Sequence, residues 1–262
     1  VFVEMKEAPM SRIDLFTSPQ HQNVCFDESE DGGAVQANNH VIVHDGTAIV
    51  LDPGGHKAFR KLLSDLASVV PVSGLKHLFL SHQDPDIVAG INGWLMTTDA
   101  DAWASSLWKR FIPHFGLDHL VADRLKEIPD EGMVFDLKGV PLLFLPAHFL
   151  HSAGNFHVYD PVSKIFYSGD LGASLGQPYT EVPDFEAHRR YMDGFHRRYM
   201  ASAVAMKAWA TMVRDLDIEM IAPQHGAFFR GKAMVQQFIA WASDFPCGVD
   251  LLVDRYKVPG RP

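Results

Sequence analysis

Short apolar runs, each stopped by a turn signal, organise this chain. Residues 36–43 and 47–51 are two such runs around Asp45-Gly46, the pattern of a β-hairpin. Asp52-Pro53-Gly54-Gly55 ends the second run. Phe59, Leu62, Leu63 and Leu66 then fall at i, i+3, i+4 and i+7, which predicts an amphipathic helix over 57–67. A strand is expected at 75–80, a helix at 87–96, a strand at 99–104, and a helix at 105–111 that carries Leu107 and Phe111 inward. Trp94, Trp103 and Trp108 read as core or pocket wall.

Asp130-Glu131-Gly132 turns the chain into a second series of strands at 133–135, 139–145, 155–159 and 165–168. The last two are joined by Asp160-Pro161-Val162-Ser163. After a loop at 172–183, one helical stretch is expected over 185–216, with Ala205, Trp209, Met212, Val213 and Leu216 on one face. A strand at 218–222 and a closing helix marked by Val235, Phe238, Ile239 and Ala242 complete the pattern. Residues 1–30 read as strands and turns without a motif. Two sheet-forming halves, each ending in helices, predict an α/β protein, and the length suits one domain over 1–262.

Composition narrows the function. A net charge of −9 without a sustained Lys/Arg block argues against a nucleic-acid partner. No stretch has membrane-spanning length and no signal peptide is evident, so the expected location is cytoplasmic. The two cysteines, Cys25 and Cys247, are too far apart for a zinc ribbon, a rubredoxin-type site or an iron–sulfur cluster. Fourteen histidines are many for 262 residues.

Where those histidines fall matters more than their number. At the end of the 75–80 run, His82, Asp84 and Asp86 alternate, and Pro85 forces a tight turn in which Asp86 can cap the next helix. Alone, Asp84-Pro85-Asp86 is a turn and helix cap. Three later runs also end at a ligand-type residue: His151, Asp170 and His225. Ligands collect at the carboxyl ends of strands in open sheets, so the four places are expected to be neighbours. Three imidazoles and three carboxylates exceed one metal and suit two.

His82-x-Asp84-x-Asp86, Leu150-His151, Ser168-Gly169-Asp170 and Ala222-Pro223-Gln224-His225-Gly226 resemble the metallo-β-lactamase superfamily, within it the di-iron branch of flavodiiron and oxygen-binding diiron proteins. The resemblance runs from about Gln36 to about Gly231. Hydrolytic members usually carry H-x-H-x-D-H, whereas Asp84 is a carboxylate at the third position. The di-iron pattern has Glu where Asp84 stands and continues to a His where Ile87 stands.

The resemblance implies a four-layer αβ/βα sandwich and two irons with an oxo or hydroxo bridge; zinc or manganese is the lesser expectation. One metal would take His82, Asp84 and His151, the other Asp86 and His225, with Asp170 bridging. Asp52 would sit beneath the site and orient it, or form a plain turn. His148 is open between a partner of the ligands, a proton donor, an ordinary core histidine and a replacement for the ligand missing at Ile87. The implied function is O2 binding, as a sensor or carrier or as an O2 or NO reductase, with an electron donor or signalling protein supplied in trans. The flavodoxin domain of flavodiiron proteins is not expected within this chain. The competing class is a di-zinc hydrolase of an ester, thioester or phosphodiester. A homodimer stays open. Arg190 and Arg197, in the near repeat His188-Arg189-Arg190-Tyr191-Met192 and His196-Arg197-Arg198-Tyr199-Met200, share a helix face that either docks an acidic donor or is simply solvated.

Overall fold

A computed structural model describes residues 10–28 and 36–260. Of the stretch read as strands and turns, residues 1–9 and 29–30 lie outside the described residues. The chain divides into two compact units, Val1–Leu142 and Leu143–Pro262. The expected α/β class is borne out, with two mixed sheets among the described residues.

The first sheet runs in sequence order: β1 (Ser11–Thr17), β2 (His21–Glu28), β3 (Ala37–His44), β4 (Thr47–Leu51), β5 (Leu75–Phe79), β6 (Asp101–Ser105) and β7 (Leu125–Ile128). Its first four strands are antiparallel and its last four parallel. The β3–β4 hairpin turns on Asp45 and Gly46 at φ +44° and +74°, as expected of that dipeptide. Between β4 and β5, α1 (His56–Leu66) buries Ala58, Leu62 and Leu66.

The single helix expected at 87–96 is two. α2 (Pro85–Val88) and α3 (Ile91–Thr97) are separated at Gly90, where a Cβ would stand 2.6 Å from the carbonyl oxygen of Gly54. The α2 start also differs from expectation: Asp84 occupies the N-cap position and Asp86 lies in the first turn. Leu107 and Phe111 are not inward. α4 (Ser106–Lys109) is too short to present a buried stripe, and the two side chains are 37% and 43% exposed. β7 was not foreseen, because Leu125-Lys126-Glu127-Ile128 is too short and too charged to stand out.

The second sheet has the order β13-β12-β11-β10-β9-β8, from β8 (Met133–Leu137), β9 (Val140–Pro146), β10 (Phe156–Asp160), β11 (Ile165–Tyr167), β12 (Met220–Ala222) and β13 (Phe229–Arg230). β11 and β12 are parallel neighbours, with Tyr167 opposite Ala222. The helical stretch at 185–216 divides into α5 (Phe185–Tyr199) and α6 (Ala203–Val213). Ser202 breaks it by capping α6, its hydroxyl accepting from Ala205 N. Trp209 and Val213 face the core as expected, whereas Met212 is 37% exposed. α7 (Lys232–Asp244) closes the unit with Val235, Phe238 and Ala242 buried, and α8 (Val249–Leu252) follows. No helix among the described residues is long and apolar enough to cross a membrane.

Candidate metal centre

In the first unit the ligand-type residues leave β5 directly. Asp52 follows β4, β5's parallel neighbour, and sits at φ +51°, a conformation Asp tolerates better than most residues. Its Oδ1 accepts from the Ser81 amide at 2.8 Å. Ser81 Oγ in turn lies 2.9 Å from His82 Nδ1. A proton on Nδ1 shared with that hydroxyl leaves the Nε2 lone pair for a metal. His82 Nε2 lies 3.7 Å from Asp84 Oδ2. Asp86 is exposed, and Ile87 is wholly buried in the apolar core of this unit.

In the second unit three separate segments supply ligands. β11 and β12 end side by side, so Asp170 and His225, each three residues past its strand, emerge at the same end. His225 Nε2 lies 3.7 Å from Asp170 Oδ1, and His151 Nε2 lies 3.7 Å from Asp170 Oδ2. His151 comes from the turn after β9, where Phe149 and His151 have φ +66° and +81°. Such conformations are held only by surrounding bonds. Phe149 N donates to Ser152 O at 2.7 Å and Asn155 Nδ2 to Leu150 O at 2.6 Å. The His151 ring packs against Tyr199 and Phe195 at 5.5 and 6.0 Å between centroids.

Hydrogen bonds lock the Asp170 and His225 segments together. Gln224 N donates to Gly169 O at 2.8 Å, Ser174 N to His225 O at 3.3 Å, and Ala227 N to Ser174 Oγ at 3.2 Å. Gly226, at φ +87°, admits the contact, since a Cβ there would stand 2.5 Å from the Ser174 carbonyl oxygen.

The donor chemistry fits metal in both sets. A separation of 3.7 Å is too long for a hydrogen bond. Two ligands each about 2.1 Å from one ion stand roughly 3 to 3.6 Å apart, so each pair needs only a small closure. The structure thus brings together His82 with Asp84, and Asp170 with both His151 and His225.

His148 is half-buried in the same turn as His151, its ring edge-on to Phe156 at 5.3 Å. It also lines a mostly apolar hollow with Trp209 and Met212, about 520 Å³ in volume. Of the arginines on α5, Arg190 lies 4.7 Å over the Tyr191 ring, while Arg197 bonds Asp193 at 3.2 Å, so that part of the basic face is internally neutralised.

Sequence reading passed over His188 and His196 on α5, both wholly buried. Burial lowers each from the ordinary 6.5 to about 4. The near repeat was the available signal: it turns each His inward and its arginines outward.

Comparison with known proteins matches residues 35–226 to the family described as ODP family beta lactamase. The chain belongs to the ODP family. Its similarity to solved ODP structures covers nearly the whole chain. The peroxy diiron species of chemotaxis sensor ODP is 38% identical, covering 94% of this chain and 100% of that one, with a TM-score of 0.84. The apo state of chemotaxis sensor ODP from T. denticola is 35% identical, covering 95% and 100%, with a TM-score of 0.86. A flavo di-iron protein variant from Thermotoga maritima shares the fold at 17% identity and a TM-score of 0.73, over 89% of this chain and 60% of that one. An uncharacterised protein of Methanocaldococcus jannaschii is 20% identical over 212 residues, 78% of this chain. The ODP-family chain spans about half of that protein's length, 52%. The resemblance drawn from the ligand motifs is therefore borne out, fold included.

Proposed function

We propose that this chain is a non-haem di-iron protein that binds O2 and passes its liganded state to a signalling protein in trans. The observation that carries this reading is family membership, together with similarity over the full length of a chemotaxis sensor of which a peroxy diiron species has been solved. His82, Asp84 and His151 are proposed to hold one iron, Asp86 and His225 the other, and Asp170 to bridge them. The irons supply the affinity for O2.

The chain's own residues supply the rest. Ser81 orients His82, and Asp52 holds the Ser81 amide. Phe195 and Tyr199 fix the plane of His151. Ile87, standing where the resembled pattern has an imidazole, leaves the second iron one protein ligand fewer and so gives a small neutral molecule an opening. His148 is proposed to support the neighbouring ligands or deliver a proton from the turn that carries His151.

The test is anaerobic loading with Fe2+, then exposure to O2 under a visible spectrometer. Two irons per chain and a new visible band on exposure are expected. Two tightly held zinc ions with phosphodiesterase or thioesterase turnover would overturn the reading and favour the hydrolase. A visible change that needs a continuous supply of reductant, with O2 or NO consumed, would favour a reductase over a sensor.

A further inference from the structure

α5 touches two of the three ligand-bearing segments of the second unit, those of His151 and Asp170. Phe195 and Tyr199, stacked on each other at 4.7 Å, face His151, and just past the helix Ala201 N donates to Phe149 O at 3.1 Å. One turn in from the helix end, on the buried side, His196 reaches the segment of Asp170. Its Nε2 accepts from the Gly172 amide at 2.8 Å, and its Nδ1 lies 2.7 Å from Met192 O. The two contacts fix the ring's state. Met192 O can only accept, so Nδ1 carries the proton; the Gly172 N–H can only donate, so Nε2 is bare.

Gly172 cannot easily find another acceptor. It stands at φ +99° with Phe238 and Phe229 filling the space where a Cβ would go. The rest of the turn is already paired: Leu171 N donates to Ser168 O at 2.9 Å and Ser168 Oγ to Leu171 O at 2.6 Å. Gly169 and Ser174 bond this turn to the His225 segment, and an imidazole on a rigid helix, edge-on to Trp241 at 4.9 Å, ties the stretch between them to α5.

We infer that His196 is a positioning residue of the metal centre, holding the Asp170 turn through the Gly172 amide so that the carboxylate is aimed before metal arrives. The inference rests on the proposed metal site for its consequence, though not for its geometry. Residues that orient ligands typically govern metal affinity by 10- to 100-fold.

The experiment compares His196→Phe and His196→Gln with the parent, as full-length chains. Phe keeps an aromatic ring in the nest of Trp241 and Phe245 and loses the acceptor; Gln keeps an acceptor oxygen within reach. In metal-free protein, the Gly172 amide should exchange with solvent at least about tenfold faster in His196→Phe, with partial rescue in His196→Gln. The orphaned Gly172 amide should lower the melting temperature of His196→Phe, so Fe2+ titration is run where every variant is fully folded, and there the affinity should be about tenfold weaker in His196→Phe, again rescued in part by Gln. Parent-like exchange and parent-like affinity in His196→Phe overturn the inference. So does loss of iron in both variants in proportion to lost stability, which is what a purely structural role would give. Should neither variant fold, scalar coupling between Gly172 N and His196 Nε2 in the labelled metal-free parent decides, its presence supporting and its absence overturning the inference. A parent that takes up no iron sinks the proposed function, while the Gly172 exchange comparison still stands.

Discussion

The two ligand sets are built by different means. In the first unit, His82, Asp84 and Asp86 lie within five consecutive residues at the end of one strand, and the orienting bonds are mostly local: His82 to its neighbour Ser81, and a turn fixed by Pro85. In the second, His151, Asp170 and His225 are spread over 75 positions and converge only because β11 and β12 run parallel and their exits are bonded together. The first set is a motif; the second is a product of tertiary structure. Damage to the first should therefore be confined to its own residues, whereas the second should fail as a unit.

Asp170→Ala tests this most severely. As the carboxylate within 3.7 Å of both His151 and His225, Asp170 should carry away both irons when it is lost, and metal analysis would show a nearly metal-free but folded chain. Retention of one iron would mean that the second set is no more interdependent than the first.

Acid should discriminate next. His188 and His196, both in the second unit, are held neutral by burial at about 4, against 6.5 for an ordinary His. Because the unfolded chain takes up these protons first, stability is complete above pH 6.5 and is lost as pH falls toward 4. For His196 alone the loss approaches roughly 3 kcal/mol, each unit of pKa being worth about 1.4 kcal/mol. Denaturant melts of the metal-free protein at pH 7 and 4.5 should show it, and His196→Phe should flatten the slope.

Asp52 gives a smaller effect in the first unit. Asp52→Ala leaves the buried Ser81 amide without its acceptor and places Ala at φ +51°, a cost of about 1–3 kcal/mol. Asp52→Asn keeps an acceptor oxygen and a residue tolerant of that backbone, so its melting curve should stay near the parent's. Equal losses would make the Asp52 charge, rather than its hydrogen bond, the relevant property. The smallest change is expected from His148→Ala, with iron content nearly intact. Loss of one iron would move His148 among the ligands and enlarge the second set.

The same contrast explains what could be read from the sequence. The His82-x-Asp84-x-Asp86 spacing was legible because strand, proline and ligands are contiguous, and the β3–β4 hairpin because Asp45-Gly46 announces it. Asp170 and His225 were legible as residues ending apolar runs, yet nothing local says that Tyr167 and Ala222 pair in register. The close approach at Gly90 was hidden because the Gly54 carbonyl it admits lies 36 positions away in the chain. His196 was missed for a related reason: its partner is a backbone amide, and amides leave no trace in sequence. Leu107 and Phe111 show the converse failure, apolar residues with helical spacing in a helix too short to have a buried side.

Gly226 carries one more consequence, and it concerns heredity. The Ser174 backbone and hydroxyl occupy the place of any side chain at that position, and the backbone there is left-handed. Every amino-acid substitution at 226 adds at least a carbon atom, and so pushes on the two loops that present Asp170 and His225. A lineage can replace many surface residues of this chain one base at a time, but at this position it has no neighbouring allele to drift into.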